Sequence, residues 1–154
     1  MITEQTNFAH ECRIRDSFAN QLCDFRENER LIGSEQWYQG SRVRVDMRTI
    51  DKYDVIREWE FKIFAGYEAL GQILTYVSLA RRNSNFERKI QGVIAAFDFQ
   101  EEVRDAIEIM NLGIELVTIP PWLSQAGNIP NYWDDRIEPI DIPNFNKILV
   151  GGKQ

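Results

Sequence analysis

Hydrophobic residues recur along the chain with two different periods, and these periods predict its secondary structure. Residues 4–26 carry apolar side chains at spacings of three, four and seven, which is typical of an amphipathic helix. Its predicted buried stripe includes Phe8, Cys12, Phe18, Ala19, Leu22 and Cys23. Residues 43–48 instead alternate strictly between apolar and charged positions. Residues 55–63 alternate again after turn residues at 51–54, which indicates a β-hairpin. The remaining predicted elements are a strand within 30–40, a helix over 66–82, a strand over 88–97, a helix over 99–111 and a strand over 113–119.

The resulting element order is α-β-β-β-α-β-α-β. Helices that alternate with apolar strands after an initial hairpin predict an α/β fold, with a central mixed sheet between layers of helices. All five prolines follow residue 119, so regular structure should largely end there. We therefore expect an α/β core over residues 1–119 and a proline-rich, extended C-terminal arm over residues 120–154. The apolar side chains of the arm predict that it packs on the core or on a partner.

Composition and charge restrict the possible functions. The chain has 154 residues, of which 44% are hydrophobic and 12% aromatic, and this predicts one compact domain. Its net charge of −6 argues against coating nucleic acid by bulk charge. Residues 41–90 nevertheless carry 10 basic and 7 acidic side chains, a balance of +3. The N-terminal segment and the absence of a long apolar run predict a cytoplasmic protein without a membrane span, in which Cys12 and Cys23 are free thiols.

Two polar residues face the wrong way on the predicted first helix. Glu11 and Arg15 project onto its apolar side. Burying such charges is costly unless they are paired or used. They could form an i,i+4 pair whose charged ends reach water, or they could belong to a site.

The predicted hairpin gathers charged residues on one sheet face. If the apolar sides of both strands face one core, odd-numbered residues lie opposite odd-numbered ones. The residues that then share the other face are Asp46, Glu58, Glu60 and Lys62. Carboxylates grouped in this way suit Mg²⁺, which keeps several waters that a substrate phosphate can replace. The ion would polarise a phosphoryl oxygen and lower the pKa of an attacking water, while Lys62 orients that water or stabilises developing charge.

These residues resemble the PD-(D/E)xK nuclease superfamily, in particular its RecB-like branch with a QxxxY motif. The matching segments occur in the family's order: RVDMR around Asp46, EFK over 60–62 and QILTY over 72–76. Val45 stands where the family name has proline, a difference that many members share. The resemblance covers about residues 4–119. It implies a restriction-endonuclease-like, three-layer α/β/α fold and a nuclease that depends on Mg²⁺ or Mn²⁺.

The resemblance also implies roles for individual residues. Gln72 and Tyr76, one helical turn apart, would line the site and help to hold nucleic acid or to order the metal ligands. Glu58 could replace Glu60 as a ligand if the strand register shifts. The implied catalytic set is Asp46, Glu60, Lys62 and Glu11, with Asp46 and Glu60 as the metal ligands.

Further cations are candidates for binding substrate. Arg44 lies on the hairpin, where it either contacts substrate or pairs with Glu60 in a charge ladder that also joins Arg48 to Glu58. A second group lies where the 66–82 helix gives way to the next strand. It either grips phosphates or complements the helix dipole. This group comprises Arg81, Arg82, Arg88 and Lys89.

Two functions are open at this stage. One is a metal-dependent nuclease that hydrolyses phosphodiester bonds of nucleic acid, with DNA favoured over RNA. The other is a catalytically inactive nuclease-like fold that acts as an accessory or protein-interaction factor in mobile-element or phage DNA processing. A homodimer or a protein partner would supply specificity, because 154 residues leave little room for a separate recognition domain. Only the nuclease function requires the side chains of Asp46, Glu60 and Lys62 to lie close together.

Overall fold

The computed structural model describes residues 4–123, with side chains from residue 9 onward. It contains a short helix, α2, beside the eight predicted elements. The elements are α1 (Glu4–Asn20), α2 (Leu22–Phe25), β1 (Glu29–Trp37), β2 (Arg44–Asp51), β3 (Ile56–Ala65), α3 (Tyr67–Asn83), β4 (Ile90–Phe99), α4 (Glu101–Ile109) and β5 (Ile114–Thr118).

The five strands form one mixed sheet in the order β1-β2-β3-β4-β5. The first three strands pair antiparallel, as hairpin connections allow. β3, β4 and β5 pair in parallel, and α3 and α4 provide the crossover connections that parallel neighbours require. The predicted α/β class and element order are confirmed. No helix within residues 4–123 is both long and apolar enough to cross a membrane.

Separate hydrophobic cores cover the two faces of the sheet. On one face, α1 and α2 pack through Ile14, Phe18 and Leu22 against a core that contains Trp59. On the other face, α3 and α4 bury Ile73 and other apolar residues against the sheet. Helices therefore form a layer on each side, which is the three-layer α/β/α arrangement expected from the sequence.

The strand register places the hairpin charges as predicted. Met47 lies opposite Trp59 and Arg48 lies opposite Glu58, so odd-numbered residues face odd-numbered ones. Because side chains alternate along a strand, Glu58, Glu60 and Lys62 share one face of β3.

One prediction about the first helix is wrong. Cys23 was expected on its buried stripe, but the Cys23 side chain is exposed, whereas Cys12 is buried. The helix is interrupted at Gln21, between α1 and α2, so the periodicity of α1 does not continue to Cys23. Both thiols are free, as expected.

The predicted C-terminal arm begins at the end of the described chain. Ile119 and Leu123 are buried in the core beside α1 and α2. The rest of the arm, residues 124–154, lies outside the described residues.

Gly92 on β4 allows α3 to pack closely on the sheet. A Cβ added there would meet Ile114 Cδ1 at 2.7 Å, Val77 Cγ2 at 2.8 Å and Ile73 Cγ1 at 2.9 Å. Gly92→Ala is therefore expected to lower the free energy of unfolding by about 2 kcal/mol through overpacking. Gly71→Ala is the matched control, because a Cβ at this helical position meets nothing within 4 Å. It should stabilise the protein by up to about 1 kcal/mol. Urea unfolding measures the free energy of unfolding of both variants. Equal changes in the two would show that close packing at Gly92 does not limit stability.

Candidate active site

Seven of the nine predicted site residues lie together in one cleft of about 180 Å³, here called the acidic cleft. The cleft opens where β2 and β3 diverge, between the middle of α1 and the middle of α3. The predicted residues that line it are Glu11, Arg44, Asp46, Glu60, Lys62, Gln72 and Tyr76.

The hairpin positions the central carboxylate, Asp46. The last residues that pair β2 with β3 at this end are Met47 and Trp59. Beyond them, Asp46 Oδ2 accepts a hydrogen bond of 2.9 Å from the backbone N–H of Phe61. The side chain thus satisfies a backbone donor that no longer has a ladder partner on β2. This contact holds the carboxylate beside Glu60.

Glu60 and Lys62 form the other half of the site. Glu60 is 2% exposed, and its Oε1 lies 3.4 Å from Lys62 Nζ. Its other oxygen, Oε2, is buried and accepts no hydrogen bond within the described part of the chain. The side chain of Tyr76, on α3, interacts with Glu60. A buried carboxylate oxygen without a donor is costly, and a cation could satisfy it.

The electrostatics of the acid pair favour a bound cation. Burial raises the pKa of Glu60 well above its ordinary value of 4.5, and the nearby Asp46 carboxylate raises it further. Burial also raises the pKa of Asp46, although the Phe61 N–H and Arg15 oppose the shift. A buried and a half-buried carboxylate that interact in this way resist ionising together unless positive charge is added.

These residues fit a divalent cation with an incomplete protein shell. Asp46 and Glu60 offer hard oxygen donors, and one of their oxygens lacks a partner. Within residues 4–123, no group of three or more His, Cys, Asp or Glu side chains is placed to hold a metal ion. A pair of acids suits Mg²⁺ or Mn²⁺, which keep positions for water and phosphate.

Glu11 reaches the cleft from α1, as its inward projection predicted. Its Oε2 accepts a hydrogen bond of 3.0 Å from the backbone N–H of Ile63 on β3. Burial raises the pKa of Glu11, while this hydrogen bond and Lys62 oppose the shift. Glu11 therefore links the first helix to the strand that carries Glu60 and Lys62.

Five cleft residues were not predicted as site residues: Cys12, Arg15, Glu35, Val45 and Phe61. Arg15 is 2% exposed and lies 3.2 Å from Asp16 and 3.5 Å from Glu35. The inward projection of Arg15 signalled its burial but not these partners. Glu35 follows an irregularity in β1 and has a positive φ of 53°, which no feature of the sequence indicated. Burial raises the pKa of Cys12 to about 11, so its thiol is a poor nucleophile.

Glu58 does not compete with Glu60 for the cleft. Arg48 Nε lies 2.7 Å from Glu58 Oε1, and both side chains are fully buried. The guanidinium also lies over the ring of Tyr38, which stacks on Tyr76. The strand register therefore pairs Glu58 with Arg48 and leaves Glu60 beside Asp46.

The charge ladder proposed for the hairpin forms only in part. The Arg48–Glu58 pair exists, but it is buried rather than solvated. Arg44 lines the acidic cleft, and its guanidinium lies 4.8 Å from the ring centre of Trp37 instead of pairing with Glu60.

Arg81 and Arg82 lie away from the acidic cleft. They form the last turn of α3, and Arg81 lines a different cleft together with Arg57 at the start of β3. Arg57 and Lys62 are five residues apart on one strand, which corresponds to about 17 Å. These two arginines therefore do not share the acidic cleft with Asp46 and Glu60.

The three-layer fold, with its acid pair and lysine at the divergence of two strands, is a restriction-endonuclease-like nuclease fold. Solved structures with this fold include a repair endonuclease from Pyrococcus abyssi, with a TM-score of 0.62 and 20% identity over 72% of this chain and 47% of that chain. EndoMS in a complex with double-stranded DNA gives a TM-score of 0.59 and 16% identity, over 71% of this chain and 45% of that one. EndoMS in its apo form gives a TM-score of 0.52 and 17% identity, over 69% of this chain and 46% of that one.

The chain thus matches slightly less than half the length of each of these endonucleases. Neither the known family models nor the curated proteins give a match to the sequence.

The metal-free protein is expected to lose stability as the pH rises from about 4.5 to neutral, in part through Glu60. Because its folded-state pKa is raised, the folded protein keeps a proton that the unfolded chain has released. The stabilisation is complete below the unfolded pKa and disappears as the pH rises through the folded pKa. Glu60→Gln stays neutral, so its stability should depend less on pH and exceed that of the wild type at pH 7 in EDTA.

Thermal unfolding between pH 4 and 8 measures this difference. Glu27→Gln, an exposed position, should keep the wild-type pH dependence. An unchanged slope for Glu60→Gln would show that Glu60 does not carry a shifted proton.

Proposed function

We propose that the protein is a metal-dependent nuclease that hydrolyses phosphodiester bonds in DNA. The observation that carries this proposal is the buried, unpartnered Oε2 of Glu60 beside Asp46, with the Lys62 ammonium on the same cleft. The fold shared with repair endonucleases supports the reaction class, and the EndoMS complex supports double-stranded DNA as one substrate to test.

Asp46 and Glu60 would hold Mg²⁺ or Mn²⁺. When bound, the ion would polarise the scissile phosphate and lower the pKa of the attacking water. Glu11 would complete the acidic set from α1, where Ile63 already fixes its carboxylate.

Lys62 would act as a cation rather than as a base. Burial alone would lower the pKa of Lys62, but Glu60 and Glu11 raise it above the ordinary value. The ammonium therefore keeps its proton at neutral pH. It can donate hydrogen bonds to the phosphate oxygens or the water, and it can stabilise charge that develops in the transition state.

Gln72 and Tyr76 would support this chemistry from α3, in accordance with a QxxxY motif. Tyr76 interacts with Glu60 and would hold its carboxylate in place. The Gln72 side-chain oxygen is buried in the cleft and has no hydrogen-bond donor among the described residues, so it is available to order a ligand. Arg44 at the cleft would contact the DNA backbone.

The test is cleavage of labelled single- and double-stranded DNA with Mg²⁺ or Mn²⁺, and with EDTA. Wild-type protein should cleave with either ion and not with EDTA. Asp46→Asn and Glu60→Gln should reduce cleavage to the EDTA level, because each removes a charged ligand. Glu27→Gln should match the wild type. Failure of the folded wild-type protein to cleave any substrate would favour the accessory, non-catalytic function.

Specificity is proposed to come from a second copy or a protein partner in the cytoplasm.

A further inference from the structure

A second polar cleft, of about 420 Å³, opens at the end of the sheet opposite the acidic cleft. Arg81, Arg88 and Lys89 line it, where α3 ends and the chain enters β4. We call these three residues and Arg82 the basic cleft. None of the proposed catalytic residues lines it.

The basic cleft has an excess of positive charge. Residues 81–89 contain four basic side chains and one acidic side chain, Glu87, so their balance is +3. Arg82, Arg88 and Lys89 form no ion pair with residues 4–123, whereas Arg57 nearby contacts Asp51 at 2.7 Å. Complementing the dipole of α3 explains Arg81 and Arg82 in its last turn. It does not explain Arg88 and Lys89, which follow the helix.

An exposed aromatic ring stands among these cations. Phe86 is 75% exposed and has a positive φ of 61°, directly after Asn85 with a φ of 54°. A bulky residue in the left-handed region is uncommon, because its Cβ crowds the backbone. The turn is held by hydrogen bonds, including one of 2.8 Å from the Phe86 N–H to the Arg81 carbonyl. The strained backbone therefore presents the ring to solvent without burying it.

We propose that the basic cleft and Phe86 bind an unpaired stretch of nucleic acid, with phosphates on Arg82, Arg88 and Lys89 and a base stacked on the Phe86 ring. Cations that follow a backbone beside an exposed aromatic ring are the means by which proteins hold single strands. A paired base offers no free face to the ring, so the site selects unpaired nucleotides.

This inference rests on the proposed function for its choice of ligand, and it deepens that function by defining the substrate class. The two clefts are about 17 Å apart along β3. A single strand that enters the acidic cleft would therefore reach the basic cleft within a few nucleotides of the cut. The substrate would therefore carry a single-stranded segment beside the cleavage position.

The test is fluorescence anisotropy with the full chain in EDTA, so that no cleavage occurs. The probes are a labelled 20-nucleotide oligothymidylate and a labelled 20-base-pair duplex. Wild-type protein should bind the single strand more tightly than the duplex. Phe86→Asn should weaken single-strand binding about tenfold, because asparagine tolerates the same backbone conformation but lacks the ring. Phe86→Trp, which keeps an aromatic surface, should restore binding.

A second variant tests the phosphate contacts. The double substitution Arg88→Ala/Lys89→Ala should weaken binding and reduce the salt dependence by about 1.4 in log–log slope, the value for two lost contacts on a single strand. Ile109→Ala and Arg104→Ala, exposed positions on α4, are matched controls that should bind within about twofold of the wild type. Thermal unfolding confirms that each variant is folded.

The proposal is overturned if folded Phe86→Asn binds the oligothymidylate like the wild type, if the duplex binds as tightly as the single strand, or if neither probe binds. These results are independent of catalysis, since binding is measured without a metal ion. Absence of cleavage with intact single-strand binding would refute the nuclease function and leave this site standing.

Discussion

Lys62→Ala is expected to reduce DNA cleavage by about 10²–10³-fold, mainly in kcat. The Lys62 Nζ lies 3.4 Å from Glu60 Oε1, and its side chain is 20% exposed at the acidic cleft. Its raised pKa keeps it charged, so it stabilises the charge that develops on the phosphate rather than accepting a proton. Losing one such preorganised donor typically costs two to three orders of magnitude. Single-turnover cleavage of labelled DNA measures the effect.

Lys52→Ala is the matched control for this experiment. Lys52 is an exposed lysine in the β2–β3 turn, beside the Tyr53 ring, and it lies outside the acidic cleft. It should cleave DNA at the wild-type rate. Equal cleavage by folded Lys62→Ala and wild type would remove Lys62 from the mechanism and point to a contaminating nuclease.

Arg48→Met is expected to destabilise the protein by about 3–5 kcal/mol. The substitution leaves Glu58 fully buried without the guanidinium that lies 2.7 Å from it. Burial already raises the pKa of Glu58, and Arg48 is the first group that opposes this shift. Removing one partner of a buried ion pair is far more costly than removing both. Urea unfolding at pH 7 measures the loss.

The double variant Arg48→Met/Glu58→Leu separates the cost of an unpaired charge from a loss of packing. Because it removes both charges, it should recover most of the stability lost in Arg48→Met. Arg30→Ala, an exposed position on β1, should change stability by less than about 0.5 kcal/mol. A double variant as unstable as Arg48→Met would show that packing, rather than the unpaired carboxylate, dominates.

The hairpin and its shared face could be predicted because strand side chains alternate with a period of two. Once Met47 and Trp59 point into one core, Glu60 and Lys62 must point away from it. The same alternation does not distinguish Glu58 from Glu60. That difference depends on which residue of β2 lies opposite each glutamate, so it requires the register as well as the period.

Other parts of the site depend on irregular structure, which leaves weak signals in a sequence. The interruption at Gln21 contains neither glycine nor proline, so the exposure of Cys23 was not predictable from the period of α1. Glu35 on β1 lies 3.5 Å from Arg15 and has a positive φ that glutamate rarely adopts. The basic residues at 81–89 were visible in the sequence. Their distance from Lys62 was not, because it depends on which end of β3 lies beside the last turn of α3.

The origin of the acid pair in one hairpin affects how the site assembles during folding. Asp46 and Glu60 are close in sequence, so bringing them together closes a short loop at low entropic cost. Glu11, by contrast, bonds to a residue 52 positions away along the chain. Contacts of such long range generally form late. The two repelling carboxylates are therefore expected to meet early, and the active cleft is completed only when the first helix docks.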